Sequence, residues 1–283
     1  MRARRLALGL LLGALGLAAN ASAQQLDTGK RGAMAKKLEA VNFISACPFG
    51  HRAPDDPIVF PGHPGFSHDH SFVGNTTTDA YSTLASLQDG STTCRRAGDR
   101  AGYWMPTLAD NATPVNPIGA TIYYRRRTRA EITPFPSGLK MIAGDSKATS
   151  PQSLQVTYWN CGPNAGIAPA STVPTCPDAA ANGLRLHVTF PNCWDGQNLD
   201  SADHKSHMAY STNGRCPADH PVAMPSISLI YRYPIQGDSS VYLSSGGQFS
   251  AHADFFNAWD AATLSSLVDG CLNALVHCGV HNP

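Results

Sequence analysis

From Val41 onward the chain breaks into runs of four to eight strand-forming residues, separated by clusters of Pro, Gly, Asn, Asp and Ser. The runs lie at 41–45, 66–73, 121–127, 139–143, 154–159, 184–190, 227–233 and 241–244. So many short strands with Gly-rich and Pro-rich turns point to a sandwich or barrel-like sheet. The cleanest alternation is at 184–190, where Leu184, Leu186, Val188 and Phe190 share one face and Arg185, His187 and Thr189 the other. Two segments read as helices. Residues 79–87 carry Tyr81, Leu84 and Leu87 at helical spacing and end near Gly90; the C-terminal run repeats Leu264, Leu267, Val268, Cys271, Leu272 and Leu275. The expected fold is mainly β within the α+β class: an antiparallel β-sandwich or jelly-roll-like core with long loops, a short internal helix and a C-terminal amphipathic helix.

The compartment follows from the N-terminus and the cysteines. Arg2, Arg4 and Arg5 lead into an apolar run over 6–19, and Ala21-Ser22-Ala23 supplies small residues for cleavage. Residues 1–23 therefore read as a signal peptide cut after Ala23, with a secreted or periplasmic destination. No later stretch approaches the ~20 apolar residues of a membrane helix, so no membrane span is expected in the mature chain. All eight cysteines follow the cleavage site. Disulfides are the expectation in an oxidising compartment, and the lack of any CxxC pair argues against structural zinc. Cys161–Cys176 and Cys193–Cys216 are the preferred bridges, each closing a short polar loop. Cys271 and Cys278 would stand about 10 Å apart on a continuous helix, too far to bond unless the helix ends first, as Gly279 suggests. Residues 24–40 are a polar, basic lead-in, and residues 41–283 read as a single β-rich domain with no dividing linker.

Charge and motifs exclude several functions. Net charge is +1 with 14% charged residues, and the RRRTR run at 125–129 is the only basic cluster, so a nucleic-acid partner is not expected. No G-x-S-x-G elbow, HExxH, Walker A, G-x-G-x-x-G or EF-hand loop occurs.

Three constellations remain. The loop over 190–210 is the densest: Trp194, Asp195, Asp200, Asp203, His204 and His207 lie between a strand pattern and a turn cluster. A polar run of this density is either hydrogen-bonded scaffolding or a working site. His204 and His207, at i and i+3, would be adjacent on a helical turn, and the aspartates could orient imidazoles. The alternative is a loop of Asx turns. His68-Asp69-His70 would put two imidazoles on one face of a strand beside Phe66 and Phe72. Pairing with His204 and His207 would make a four-imidazole site able to hold a divalent metal, although no cofactor is required by the sequence. His252-Ala253-Asp254 precedes the C-terminal helix, so Asp254 is either its cap or a site carboxylate. Trp104, Trp194 and Trp259 offer flat faces for sugar rings, or pack the core. Lys140 and Asn257 join them as candidate substrate-binding residues.

These pieces, taken together, resemble the secreted family known as domain of unknown function number nineteen ninety-six. The matching residues run from Asp56-Pro57-Ile58-Val59 through His68-Asp69-His70, Tyr103-Trp104-Met105-Pro106 and Pro136-Ser137-Gly138-Leu139-Lys140. They continue through Cys193-Trp194-Asp195-Gly196, Asp203-His204-Lys205-Ser206-His207 and His252-Ala253-Asp254-Phe255 to Asn257-Ala258-Trp259-Asp260. The resemblance implies a secreted protein, and the wall-carbohydrate modules joined to fungal relatives point by association to a polysaccharide or glycan partner.

The leading expectation is a carbohydrate-active enzyme, a hydrolase or lyase of cell-wall or extracellular polysaccharide. His68, His70, Asp195, Asp200, Asp203, His204, His207, His252 and Asp254 would converge on one cleft. A hydrolase would divide the work between two carboxylates, for which Asp195 and Asp254 are the candidates; a lyase would use a neutral histidine as base. The alternatives are a non-catalytic glycan-binding or adhesion module and a metal-binding protein with a His-rich site.

Overall fold

The structure, a computed structural model, describes residue 38 and residues 40–280. The leader at 1–23 and nearly all of the lead-in segment lie outside them. The strands are β1 Asn42–Ala53, β2 His70–Gly74, β3 Gly102–Pro106, β4 Leu108–Asp110, β5 Thr113–Val115, β6 Gly119–Arg125, β7 Lys140–Gly144 and β8 Thr157–Asn160, followed by β9 Arg185–Thr189, β10 Cys193–Trp194, β11 Met208–Ala209, β12 Val222–Ala223, β13 Ser226–Arg232, β14 Val241–Leu243 and β15 His252–Phe256.

Nine of them form one antiparallel sheet in the order β7-β15-β3-β2-β1-β6-β13-β9-β8. Its two ends approach each other where β7 meets β9, so the sheet curls until it is nearly a barrel. The core fills the curl. Phe43, Tyr103, Tyr124, Met141, Leu186, Val188, Leu229, Tyr231 and Phe255 pack together from strands along the whole order, with Trp259, Leu264 and Leu267 closing one opening. The expected mainly antiparallel β fold is thus present.

A second, smaller core lies on the outer face. Phe72, Trp104 and Phe256 project there from β2, β3 and β15 and are covered by Ile58, Leu87 and Ala258. Every residue of these three strands is buried. Strands covered on both sides lose the polar alternation that marks a half-wet strand. This is why GYWMP and HADFF do not read as strands in the sequence; the run expected at 66–73 is shorter, since Phe66 to Asp69 are exposed or half-buried loop and β2 starts at His70.

The helices differ from expectation in their limits. The internal helix is Leu84–Asp89, started by a Thr83–Ser86 capping box. The C-terminal helix is Ala261–Leu267, with Asp260 capping it through the Thr263 amide at 2.8 Å, and it widens into a π-helix over Val268–Asn273. The helix cap is therefore Asp260, while Asp254 lies inside a strand. Among the described residues no helix is long and apolar enough to cross a membrane.

All eight cysteines are paired, as Cys47–Cys94, Cys161–Cys176, Cys193–Cys216 and Cys271–Cys278. The two bridges expected from loop length form. The last also forms because the helical backbone stops at Asn273 and the chain reverses at Leu275, φ 60°, which brings the two Cα atoms to 5.8 Å.

A buried polar chain crosses the core. Trp259 Nε1 donates to Tyr124 Oη at 2.8 Å, Tyr124 and Tyr103 share a short hydroxyl contact, and Tyr103 Oη donates to Asp99 Oδ1 at 2.8 Å. Burial pushes the Asp99 carboxyl up to about 7 from its usual 3.8, against the opposing effect of its hydrogen bonds. A raised carboxyl favours the folded state fully below the unfolded value, and that advantage is lost as pH rises from about 4 to about 7. Asp99→Asn should remove this dependence. Chemical denaturation of the two proteins at pH 4 and pH 7 should show the wild type losing, relative to the variant, about 3 kcal/mol over that range; parallel pH profiles would show that Asp99 is ionised in the fold.

Candidate functional site

The site sits on the outer face of the sheet, beside the smaller core. In β15, His252 and Asp254 point outward and Ala253 and Phe255 inward, since alternate residues of a strand face opposite sides. β3 lies between β15 and β2, so the outward His70 of β2 reaches the same area. His68 immediately precedes β2.

The backbone of β7 fits closely against this region. Gly144 pairs with His252 at φ +84°, and a Cβ there would lie 2.5 Å from the Ala251 carbonyl oxygen. Gly62 has nearly the same φ, +78°, with nothing within 4 Å. Gly144→Ala should therefore destabilise the fold by about 2–4 kcal/mol, against about 1 kcal/mol for Gly62→Ala. Equal melting temperatures for the two variants would refute the close approach of β7 and β15.

Three imidazoles meet here. His68 Nε2 lies 3.2 Å from His252 Nε2. The ring centres of His68 and His70 are 4.2 Å apart, and one ring nitrogen from each of His68, His70 and His252 lies within 4.8 Å of the others. His70 Nδ1 is 3.0 Å from the Asp55 carbonyl oxygen and His252 Nδ1 is 2.9 Å from that of Ser250. A carbonyl only accepts, so both Nδ1 atoms donate, and in the neutral ring both Nε2 atoms carry a lone pair. Desolvation makes neutrality the favoured form: it lowers His68 to about 4 and His252 to about 3, and it holds His70 well below the usual imidazole value. His70 Nε2 is buried without a hydrogen-bond partner.

Two carboxyl groups stand beside them. Asp254 is buried, its Oδ2 is unpartnered, and that oxygen lies 3.9 Å from His252 Nε2. Burial first, and then the nearby Asp56 charge, hold the Asp254 carboxyl well above the usual carboxylate range. Asp56 is raised by burial too, although the Ile58 and Val59 amides donate to its Oδ1 at 2.8 and 3.0 Å. His68, His252, Asp254 and Asp56 line an open cleft of about 500 Å³ whose walls include Phe60, Phe66, Asp203, His204 and Lys205.

The 190–210 loop supplies one wall, and its members separate. His204 and Asp203 line the cleft, and Asp200 holds His204 Nδ1 at 2.9 Å with Lys140 Nζ 3.8 Å from its other oxygen. His204 and His207 are not on a helical turn: the segment is loop and bend, with His204 at φ +59°. His207 turns inward, where its Nε2 donates to the Lys140 carbonyl at 2.7 Å and fastens the loop to β7. The imidazole that joins His68 and His70 is that of His252. Asp195 lies outside the cleft lining and accepts the Gln197 and Asn198 amides at 2.8 and 2.9 Å as an Asx turn. Asp203 likewise accepts the Ser206 and Lys205 amides, which hold its carboxyl below the usual range.

The aromatic and amide candidates are placed differently again. Trp104 and Trp259 are in the core, at 0% and 1% exposure, with no open face. Trp194 is half-buried, with its Nε1 donating to the Asn198 carbonyl at 2.6 Å. Asn257 is buried and donates to the Pro136 carbonyl at 2.8 Å, fixing the turn before β7. Lys140 reaches the Phe256 ring at 5.1 Å and the Pro57 carbonyl at 3.4 Å. The cleft's exposed ring is instead Phe66, 70% exposed, with its centre 6.4 Å from that of Phe60. Asp56, Phe60, Phe66 and Lys205 went unselected in the sequence. For Asp56 the signal was the Asp-Asp-Pro turn at its position, and for Phe66 its place directly after the Pro64-Gly65 turn, at the edge of the run read as a strand.

Residues 56–259 match the model of the family described as "Domain of unknown function (DUF1996)". No curated protein and no solved structure matches the chain. The matched span contains Asp56, the three imidazoles and Asp254.

Proposed function

The chain belongs to the DUF1996 family, and from the cleft built within the matched residues we propose that it is an exported carbohydrate-active enzyme that cleaves a cell-wall or extracellular polysaccharide. The observation that carries this reading is that His68 and His252, grouped with the buried His70, stand at one open cleft together with an unpartnered buried carboxyl oxygen of Asp254. Buried polar atoms without partners are costly, and strongly perturbed groups of this kind facing a cleft are candidates for a working site. Export is supported by the leader read at 1–23 and by four disulfides with no free cysteine.

The cleft walls favour a sugar chain. Phe66 and Phe60 offer apolar ring faces at the mouth, and Lys147, Lys205, Asp203 and Ser67 surround them with hydrogen-bonding groups. Asp254 is the residue placed to hold or move a proton, with Asp56 as the second carboxyl group. Asp56 takes the part first assigned to Asp195, whose oxygens are spent on its own turn.

The test is turnover on a panel of wall polysaccharides, with reducing ends and unsaturated products followed separately. Asp254→Asn should lower the rate at least ~100-fold while retaining the bound chain. Phe66→Ala should weaken binding by about tenfold, the scale of a lost stacking contact. Reducing ends without unsaturated products assign hydrolysis; unsaturated products assign a lyase. Saturable binding with no turnover of any polysaccharide would defeat the enzymatic reading in favour of a glycan-binding module.

A further inference from the structure

The arrangement of His68, His70 and His252 is one that hydrogen bonding alone leaves incomplete. The Nδ1 atoms of His70 and His252 are committed to the Asp55 and Ser250 carbonyls, so their Nε2 atoms are both left as acceptors, in rings that each place a nitrogen within 4.8 Å of the others. His68 Nε2 can satisfy His252 by donating across 3.2 Å. His70 Nε2 then stays a buried acceptor with no donor. A group that accepts three lone pairs at once would satisfy all three rings.

Metal geometry fits the spacing. Imidazole nitrogens bind zinc at about 2.0–2.1 Å, so two of them 3.2 Å apart would subtend ~103° at an ion between them, close to tetrahedral. The His70 nitrogen, within 4.8 Å of the others, needs to close by at most about 1.5 Å to complete the face of the tetrahedron. Backbone carbonyls on the opposite ring nitrogens are the usual device that fixes ligand tautomer and ring orientation. The donors also select the ion: three imidazoles suit zinc and copper, whereas magnesium and calcium take oxygen ligands.

We propose that His68, His70 and His252 together bind one divalent late first-row transition ion, zinc or copper, with its remaining coordination position open to the cleft beside Asp254. This deepens the reading of the cleft as the working site and rests on it only for what the ion is used for. Two of the ligands, His70 and His252, are held by β2 and β15, and His68 comes from the loop that enters β2. The site is therefore assembled by the sheet itself.

The test uses the full mature protein, made without a histidine tag, stripped with a chelator and titrated with Zn²⁺ and with Cu²⁺. One equivalent should bind, the melting temperature should rise with ion concentration, and Cu²⁺ should give an electron paramagnetic resonance spectrum with nitrogen hyperfine structure. Mg²⁺ and Ca²⁺ should give no shift. His68→Ala, at the half-buried position, should keep the fold and lower affinity at least ~100-fold, and His252→Gln should do the same, with circular dichroism confirming that both remain folded. Absence of a saturable equivalent would overturn the site, as would wild-type affinity in the His68→Ala variant.

The two readings fail separately. Full polysaccharide turnover by metal-free protein would remove the ion and leave the enzyme. An ion bound through the three histidines, with no turnover on any polysaccharide, would keep the site and remove the enzymatic reading.

Discussion

The placement of β2, β3 and β15 between two hydrophobic layers is the constraint on which the rest of the molecule depends. Inside the curl these strands contribute Val73, Tyr103, Met105 and Phe255; outside it they contribute Phe72, Trp104 and Phe256. A strand with both faces covered cannot rotate or slip by one residue without exchanging its two sets of side chains between layers. The same rigidity fixes His70, His252 and Asp254, which occupy outward positions where the small outer core gives way to the cleft. Of the residues that cover the outer face, Ile58 belongs to the connection that also carries Asp56, Phe66 and His68. The β1–β2 connection thus serves both the outer core and the cleft.

Desolvation is what gives the cleft its chemistry. Exposed histidines would be partly protonated in mildly acidic surroundings, but burial shifts these three toward the neutral form, and it raises the Asp254 carboxyl in the same uncharged direction. The effect acts on both kinds of group in the direction that removes charge. His204, across the cleft, is instead held by the Asp200 carboxylate and joined through it to Lys140. One wall is thus formed of buried imidazoles and a buried carboxyl group and the other of a hydrogen-bonded network that includes the Lys140–Asp200 ion pair, so a chain lying between them would meet two different environments.

Much of the fold was legible in the sequence, because β1, β6, β9 and β13 contain alternation or β-branched runs and the turns between them carry Pro and Gly. Two of the three double-sided strands were not, since HADFF and GYWMP have no wet face to report. Misplacing HADFF as a lead-in to the helix also misplaced Asp254 as a possible cap, when Asp260 has that role. The site was legible in part for the same reason. His68 and His70 are two residues apart and could be paired on sight, whereas His252 is 184 residues from His68 and is brought to it only by β15 running beside β3. His204 and His207 looked better placed because local spacing is visible and strand order is not. Tryptophan misled through size: Trp104 and Trp259 fill the two cores, and the smaller Phe66 holds the exposed position.

The unpartnered polar atoms at the cleft bear on how such a site can persist. His70 Nε2 and Asp254 Oδ2 are both buried without hydrogen bonds, and an unsatisfied buried group costs about 1–3 kcal/mol, a substantial fraction of the 5–15 kcal/mol by which a folded domain is ordinarily stable. The disulfides offset such a cost without touching the site. Cys47–Cys94, 47 residues apart in sequence, links β1 to the segment leading into β3, and it lowers the entropy of the unfolded chain while leaving the outer face of β15 free. Cys193–Cys216 does the same for the loop that forms the facing wall. Rigidity is supplied by covalent links and by the filled curl, so the cleft can keep polar groups unmet until something enters it.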